Sequence, residues 1–153
     1  MARIRLESKQ KTQVFNSLVD ASLSIEETND CSVKAVAVAL DVAYDVAHAL
    51  CEKAGRVKGK GLAVYQILKA LELGGKKAEQ VMSSDYIAQY PGVHVKCKNV
   101  TTHHPERFSS VWADGRTYLF FTRSHVAAVK NGVNHDWTKG SAKRVEQIYE
   151  VLA

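Results

Sequence analysis

Asn131-Gly132 lies between two runs of strand-forming residues, 125–130 and 133–137, and constrains this chain more than any other dipeptide in it. Asn-Gly accepts the left-handed backbone of a tight two-residue turn, so the pair predicts a β-hairpin and also its register. Lys130 then pairs with Val133. Counting outward, Ala127 faces Asp136 and His125 faces Thr138. Side chains alternate along a strand, which puts His125, Ala127 and Asp136 on one face, with His125 and Asp136 as diagonal neighbours. A one-residue slip would separate them.

The remaining elements follow from periodicity. Residues 117–122 (Thr-Tyr-Leu-Phe-Phe-Thr) are rich in strand formers, and residues 145–151 alternate toward a last strand. Upstream, the Ala-rich stretch from Cys31 to Cys51 reads as helix. Asn29 and Asp30 are cap types that place Cys31 in the first turn, and Asp41 splits the stretch into helices at about 31–40 and 43–54, with Gly55 as the stop. Val14, Phe15, Leu18 and Val19 give a short helix over 12–22. A further helix over 62–73 ends at Gly74-Gly75. Residues 24–30 read as a polar loop and 57–61 as a flexible connector. Short strand or turn segments are expected near 81–82 and 93–95, and one more helix at 105–112, where Pro105 suits a first turn and Thr102 a cap. Helices first and an antiparallel sheet after them define an α+β class. With 153 residues, 46% of them apolar, the chain suffices for a single domain over 1–153, with 1–11 as a frayed or edge segment.

Composition narrows the function classes. Three cysteines, Cys31, Cys51 and Cys97, form neither a disulfide framework nor a CxxC zinc pair. Cys51 belongs to an apolar helix pattern and Cys97 to an alternating stretch, so both read as structural. The formal charge of +5 comes from scattered cations (Arg56, Lys58 and Lys60 among them) without aromatic interleaving, which argues against a single-strand nucleic-acid binder. His94, His103, His104 and His135 lack the i, i+4 spacing of a helical zinc site, and His135 should sit on the surface, so no metal or cofactor is expected. No apolar run reaches membrane-spanning length, and residues 1–10 lack the apolar region of a secretory signal, so a cytoplasmic location is expected.

What remains is a thiol at a helix N-terminus and an imidazole–carboxylate pair on a hairpin. The positive end of a helix and an adjacent imidazolium both favour thiolate over thiol. His125 would hold that ion pair and later protonate a leaving amine, and Asp136 would fix its tautomer. The backbone N–H of Cys31 and one side-chain donor, Asn29 or behind it Gln13, would bind the oxyanion. Trp137, following Asp136, would wall the pocket and shield that contact from water.

Asp30-Cys31 before an Ala-rich helix, with Arg123-Ser124-His125-Val126-Ala127-Ala128-Val129 and Gly132-Val133-Asn134-His135-Asp136-Trp137, resembles the papain-like fold cysteine peptidases. More narrowly, it is similar to small single-domain proteins of that type in bacteriophage genomes. The resemblance implies a papain-like fold with the nucleophile helix packed on a C-terminal antiparallel sheet. It also implies Cys31, His125 and Asp136 as a Cys-His-Asp triad that hydrolyses an amide bond in a peptide, an isopeptide or a side chain. The implied partner is a protein or peptide substrate, for a phage protein one of the host bacterium and its cytoplasm. A catalytically silent scaffold that grips a host protein is the alternative. Larger papain-like peptidases carry a glutamine shortly before the cysteine; here position 25 is Ile25.

Overall fold

The computed structural model describes residues 13–80, 115–122, 125–131, 133–135 and 145–153. Four helices, α1 (Gln13–Ser24), α2 (Cys31–Leu40), α3 (Tyr44–Lys53) and α4 (Val64–Leu73), precede the strands β1 (Lys77–Gln80), β2 (Thr117–Thr122), β3 (His125–Lys130), β4 (Val133–His135) and β5 (Val145–Leu152). The strands form one antiparallel sheet in the order β1-β5-β2-β3-β4. The α+β class is therefore as expected. β1 was not anticipated, because Lys-Ala-Glu-Gln carries no strand signal; its order comes from pairing with β5, Lys77 opposite Leu152 through Gln80 opposite Tyr149. The elements expected near 1–11, 81–82, 93–95 and 105–112 lie outside the described residues.

All four helices end the same way. Across the last turn, Glu27 N–H bonds Ser22 C=O (3.0 Å), Val42 N–H bonds Ala37 C=O (3.0 Å), Arg56 N–H bonds Cys51 C=O (2.9 Å) and Lys76 N–H bonds Leu71 C=O (3.0 Å). Each closure needs a left-handed residue just before it. Gly55 (φ 110°) meets that need without strain, whereas Glu26 (φ 53°) and Asp41 (φ 56°) carry side chains there. Asp41 thus ends α2 instead of capping α3, whose N-cap is Ala43. α4 begins with half of a capping box, the Gln66 Oε1 accepting the Ala63 N–H at 3.0 Å.

α2 is the central element, packed on β3 and β2 and flanked by α1, α3 and α4. Every residue of it is buried except Cys31 and Lys34, as expected for a helix apolar on all sides. Its alanines let the sheet come close, and Val33 and Val36 are fully enclosed. Leu119, Phe121, Val126 and Ala128 of the sheet join this core with Ile67, Leu71 and Cys51. Tyr118, Phe120, Ala127 and Val129, on the other pleat face, are buried as well. Strands buried on both faces read as continuous apolar runs, as β2 and β3 do here.

The hairpin register is the one the turn dictates: Lys130 opposite Val133, Val129 opposite Asn134, Ala128 opposite His135. Asn131 adopts φ 47°, donates its N–H to Arg116 C=O (2.9 Å) and accepts the Gly115 N–H on its side-chain oxygen (2.9 Å). Thr138 and Asp136, the partners expected for His125 and Ala127, lie outside the described residues.

Candidate active site

Two residues far apart in the chain meet at one pocket. Cys31, the first residue of α2, and His125, the first of β3, both line a pocket of about 520 Å³, each partly exposed. Asn29, Ser32, Gly61, Leu62, Ala63, Val64, Ile67, Phe121 and Val126 complete the wall. Alternation puts Val126 on the face toward α2 and His125 on the opposite one, yet both border the pocket. The pocket therefore opens at the end of the sheet, where a strand's first side chain is not confined to one face.

Helix α2 reaches the pocket because its N-terminus is tied down on either side. Asp30 occupies the N-cap position but makes no capping bond. Its Oδ2 instead accepts hydrogen bonds from Ser22 Oγ of α1 (2.6 Å) and Tyr44 Oη of α3 (2.7 Å), while Oδ1 pairs with Lys34 Nζ at 3.0 Å. Burial alone would raise the Asp30 carboxyl, but these three donors together hold it below the ordinary carboxylate range. The expectation of a simple cap is corrected accordingly. Asp30 is a cross-brace: its oxygens are taken by Ser22, Tyr44 and Lys34, and its side chain hydrogen-bonds none of the leading N–H groups of α2.

A second brace lies one turn of the loop earlier. Glu27 is buried and its Oε2 meets Arg56 Nη1 at 2.9 Å and His48 Nε2 at 2.7 Å. Its Oε1 accepts the N–H of Gly59 (2.8 Å) and of Thr28 (3.2 Å). Arg56 Nη2 donates to Thr28 C=O (3.1 Å), and Asn29 Nδ2 to Gly59 C=O (2.9 Å). The Arg56 guanidinium, against the cost of burial and helped by His48, Gly59 and Thr28, holds the Glu27 carboxyl far below its usual value. Arg56, read from sequence as one of several scattered surface cations, is therefore buried. Residues 57–61, expected to be a flexible connector, are fastened at Gly59. Nothing in the local pattern marks Glu27 as buried, because its partners come from a helix and a loop about 20 to 30 positions later.

The other candidate residues fall as follows. Asn29, in the left-handed region at φ 51°, borders the pocket with one amide N–H committed to Gly59. Gln13 opens α1 in an exposed position and does not line the pocket. Ile25 is exposed on the loop after α1 and does not line it either. Asp136 and Trp137 lie outside the described residues, as do Cys97, His94, His103 and His104. His135 is half-buried instead of on the surface, and burial, with Lys130 nearby, pushes its imidazole below the ordinary value. Cys51 is fully enclosed, as its helix pattern predicts. Burial pushes its thiol up to about 12, against the opposing pull of Arg56, so of the two described cysteines Cys31 is the one fit for chemistry. Ser32, beside it, keeps a buried hydroxyl that has no hydrogen-bond partner among the described residues.

Among the described residues no group of three or more His, Cys, Asp or Glu side chains is placed to hold a metal ion, and no helix is long and apolar enough to cross a membrane. No family model, curated protein or solved structure matches this chain.

Proposed function

We propose that the chain is a thiol hydrolase of papain-like layout that cleaves an amide bond, with Cys31 as nucleophile and His125 as its proton-transfer partner. The observation that carries this reading is the shared pocket: a helix N-terminal cysteine and a strand-leading histidine converge on one cavity from positions 31 and 125. The uncapped positive end of α2 favours the thiolate, and the partial exposure of Cys31 admits a substrate. In this scheme the Cys31 thiolate attacks the carbonyl carbon, forming a C–S bond and placing the negative charge on the carbonyl oxygen. Collapse breaks the C–N bond, and the leaving nitrogen takes the His125 proton. Water then loses a proton to His125 and adds to the thioester, and the C–S bond breaks to return the thiolate and a carboxylic acid product.

Gly61, Leu62 and Ala63 line the pocket just before α4, Ala63 with an extended backbone (φ −71°, ψ 159°), and a Cβ at Gly61 would meet nothing within 4 Å. An extended peptide segment fits such an open edge, with its apolar side chains against Leu62, Ile67 and Phe121. Asp136 is the orienting carboxylate in this proposal, on the strength of the hairpin register alone. Incubation with a small peptide vinyl sulfone, followed by mass spectrometry, tests the reading. One adduct on Cys31, lost in His125→Ala, is expected. A wild-type protein that forms no adduct, or one that reacts equally after His125→Ala, would refute it and leave the binding-scaffold alternative.

A further inference from the structure

We infer that Glu27 is a positioning residue for the Cys31 thiolate: by joining Arg56 and Gly59 it locks the loop that carries the nucleophile to the loop that forms the opposite pocket wall. This rests on the reading of Cys31 as a nucleophile. The two segments involved, 27–31 and 56–61, supply Asn29, Cys31 and Gly61 to the pocket, so any play between them changes where the sulfur sits relative to the wall. Four bonds span the gap, Glu27 to Arg56 and to Gly59, Arg56 to Thr28, and Asn29 to Gly59, and a fifth, from His48 of α3, holds Glu27 from the side. Glu27 takes part in three of them, and both of its oxygens are engaged. No other described carboxylate touches both loops. Asp30 braces the same turn, but toward α1 and α3, and so fixes α2 in the core without fixing the pocket wall.

The sign of one measurement separates positioning from mere charge. Glu27 and Asp30 are the anions of the segment that leads to Cys31, Arg56 and Lys34 are the cations paired with them, exposed Lys58 and Lys60 lie on the facing segment, and His48 and His125 are the neighbouring imidazoles. Removing the Glu27 charge through space alone favours the thiolate and lowers the pH midpoint of Cys31 alkylation. If Glu27 instead holds the thiol in register with the α2 N-terminus and His125, its loss raises that midpoint. A misplacement on the order of 1 Å costs up to about a hundredfold in well-oriented chemistry, so a rise of about one pH unit and a roughly tenfold slower reaction at pH 7 are expected.

The experiment is the pH profile of iodoacetamide labelling, read peptide by peptide, in wild type, Glu27→Gln, Arg56→Lys and His125→Ala. Glu27→Gln keeps the shape, and Arg56→Lys keeps the charge while losing the bond to Thr28. Cys51 reports folding, since it labels only when the core opens. A raised Cys31 midpoint with Cys51 still protected supports the inference; an unchanged or lowered midpoint overturns it. Where Glu27→Gln exposes Cys51, the Arg56→Lys midpoint decides in the same way. A wild-type Cys31 midpoint at the ordinary thiol value that His125→Ala does not move overturns the hydrolase reading and this inference together. A low wild-type midpoint raised by His125→Ala but not by the Glu27 or Arg56 variants overturns the inference alone.

Discussion

Replacing Asp30 tests whether the nucleophile helix is held by its cross-brace. Asp30 is buried, and three donors converge on it: Ser22 and Tyr44 at 2.6 and 2.7 Å, Lys34 at 3.0 Å. Hydrogen bonds to a charged group contribute about 1.5–3 kcal/mol each, and an abandoned buried donor loses its solvation besides. Asp30→Ala strands two enclosed hydroxyls and a half-buried ammonium, so a loss of about 3–5 kcal/mol is expected. That is a large part of the roughly 5–15 kcal/mol typical of a domain. Asp30→Asn can keep its oxygen toward Ser22 and Tyr44 and loses chiefly the pairing with Lys34, for a cost of about 1–2 kcal/mol. The carboxyl is held below its ordinary value in the fold. Its stabilisation is therefore complete above the unfolded-state value of about 4 and disappears as pH falls through the lower folded value. Urea unfolding followed by far-UV circular dichroism should show wild type ahead of Asp30→Asn at pH 7, with the gap closing toward pH 3. An Asp30→Ala loss under about 1 kcal/mol, or an Asn gap as wide at pH 3 as at pH 7, would refute the reasoning.

Two further outcomes are expected. Glu26→Gly should stabilise the protein by about 0.5–1 kcal/mol, because the exposed Glu26 pays for a left-handed backbone (φ 53°) that glycine adopts freely; a lower melting temperature would count against that account. Cys51 should resist alkylation at pH 8 until urea unfolds the core, whereas Cys31 labels in the native protein; simultaneous labelling of both would contradict the burial of Cys51.

The regular elements were legible because their signals are local. The turn at Asn131 fixed the β3–β4 pairing, and Ala-rich spacing with a cap-type residue placed the start of α2 at Cys31. Asp41 breaks the stretch where its type and position say it should, whereas Asp30 is legible in type but not in role: polarity and position identify a helix end, but they do not tell which way a carboxylate will turn. Glu27, His48 and Arg56 were not legible at all. Each looks like a solvated residue in its own window, and only the tertiary fold brings the three together. β1 is illegible for the same reason, since its order is conferred by β5.

The burial of β2 and β3 on both faces bears on how the strands find their alignment. In a hairpin with one wet face, water itself rejects a slipped pairing, because sliding by one residue exposes the apolar set. Here Ala127 and Ala128 are both enclosed, at 1% and 0% exposure, so a slip would swap near-equivalent methyl groups at little hydration cost. Solvent cannot proofread such a strand. Alignment falls to the turn, where Asn131 is clasped by its backbone N–H to Arg116 and by its side-chain oxygen to Gly115. The histidine at one end of β3 is thus indexed from the other end, like a ruler read from its clamp.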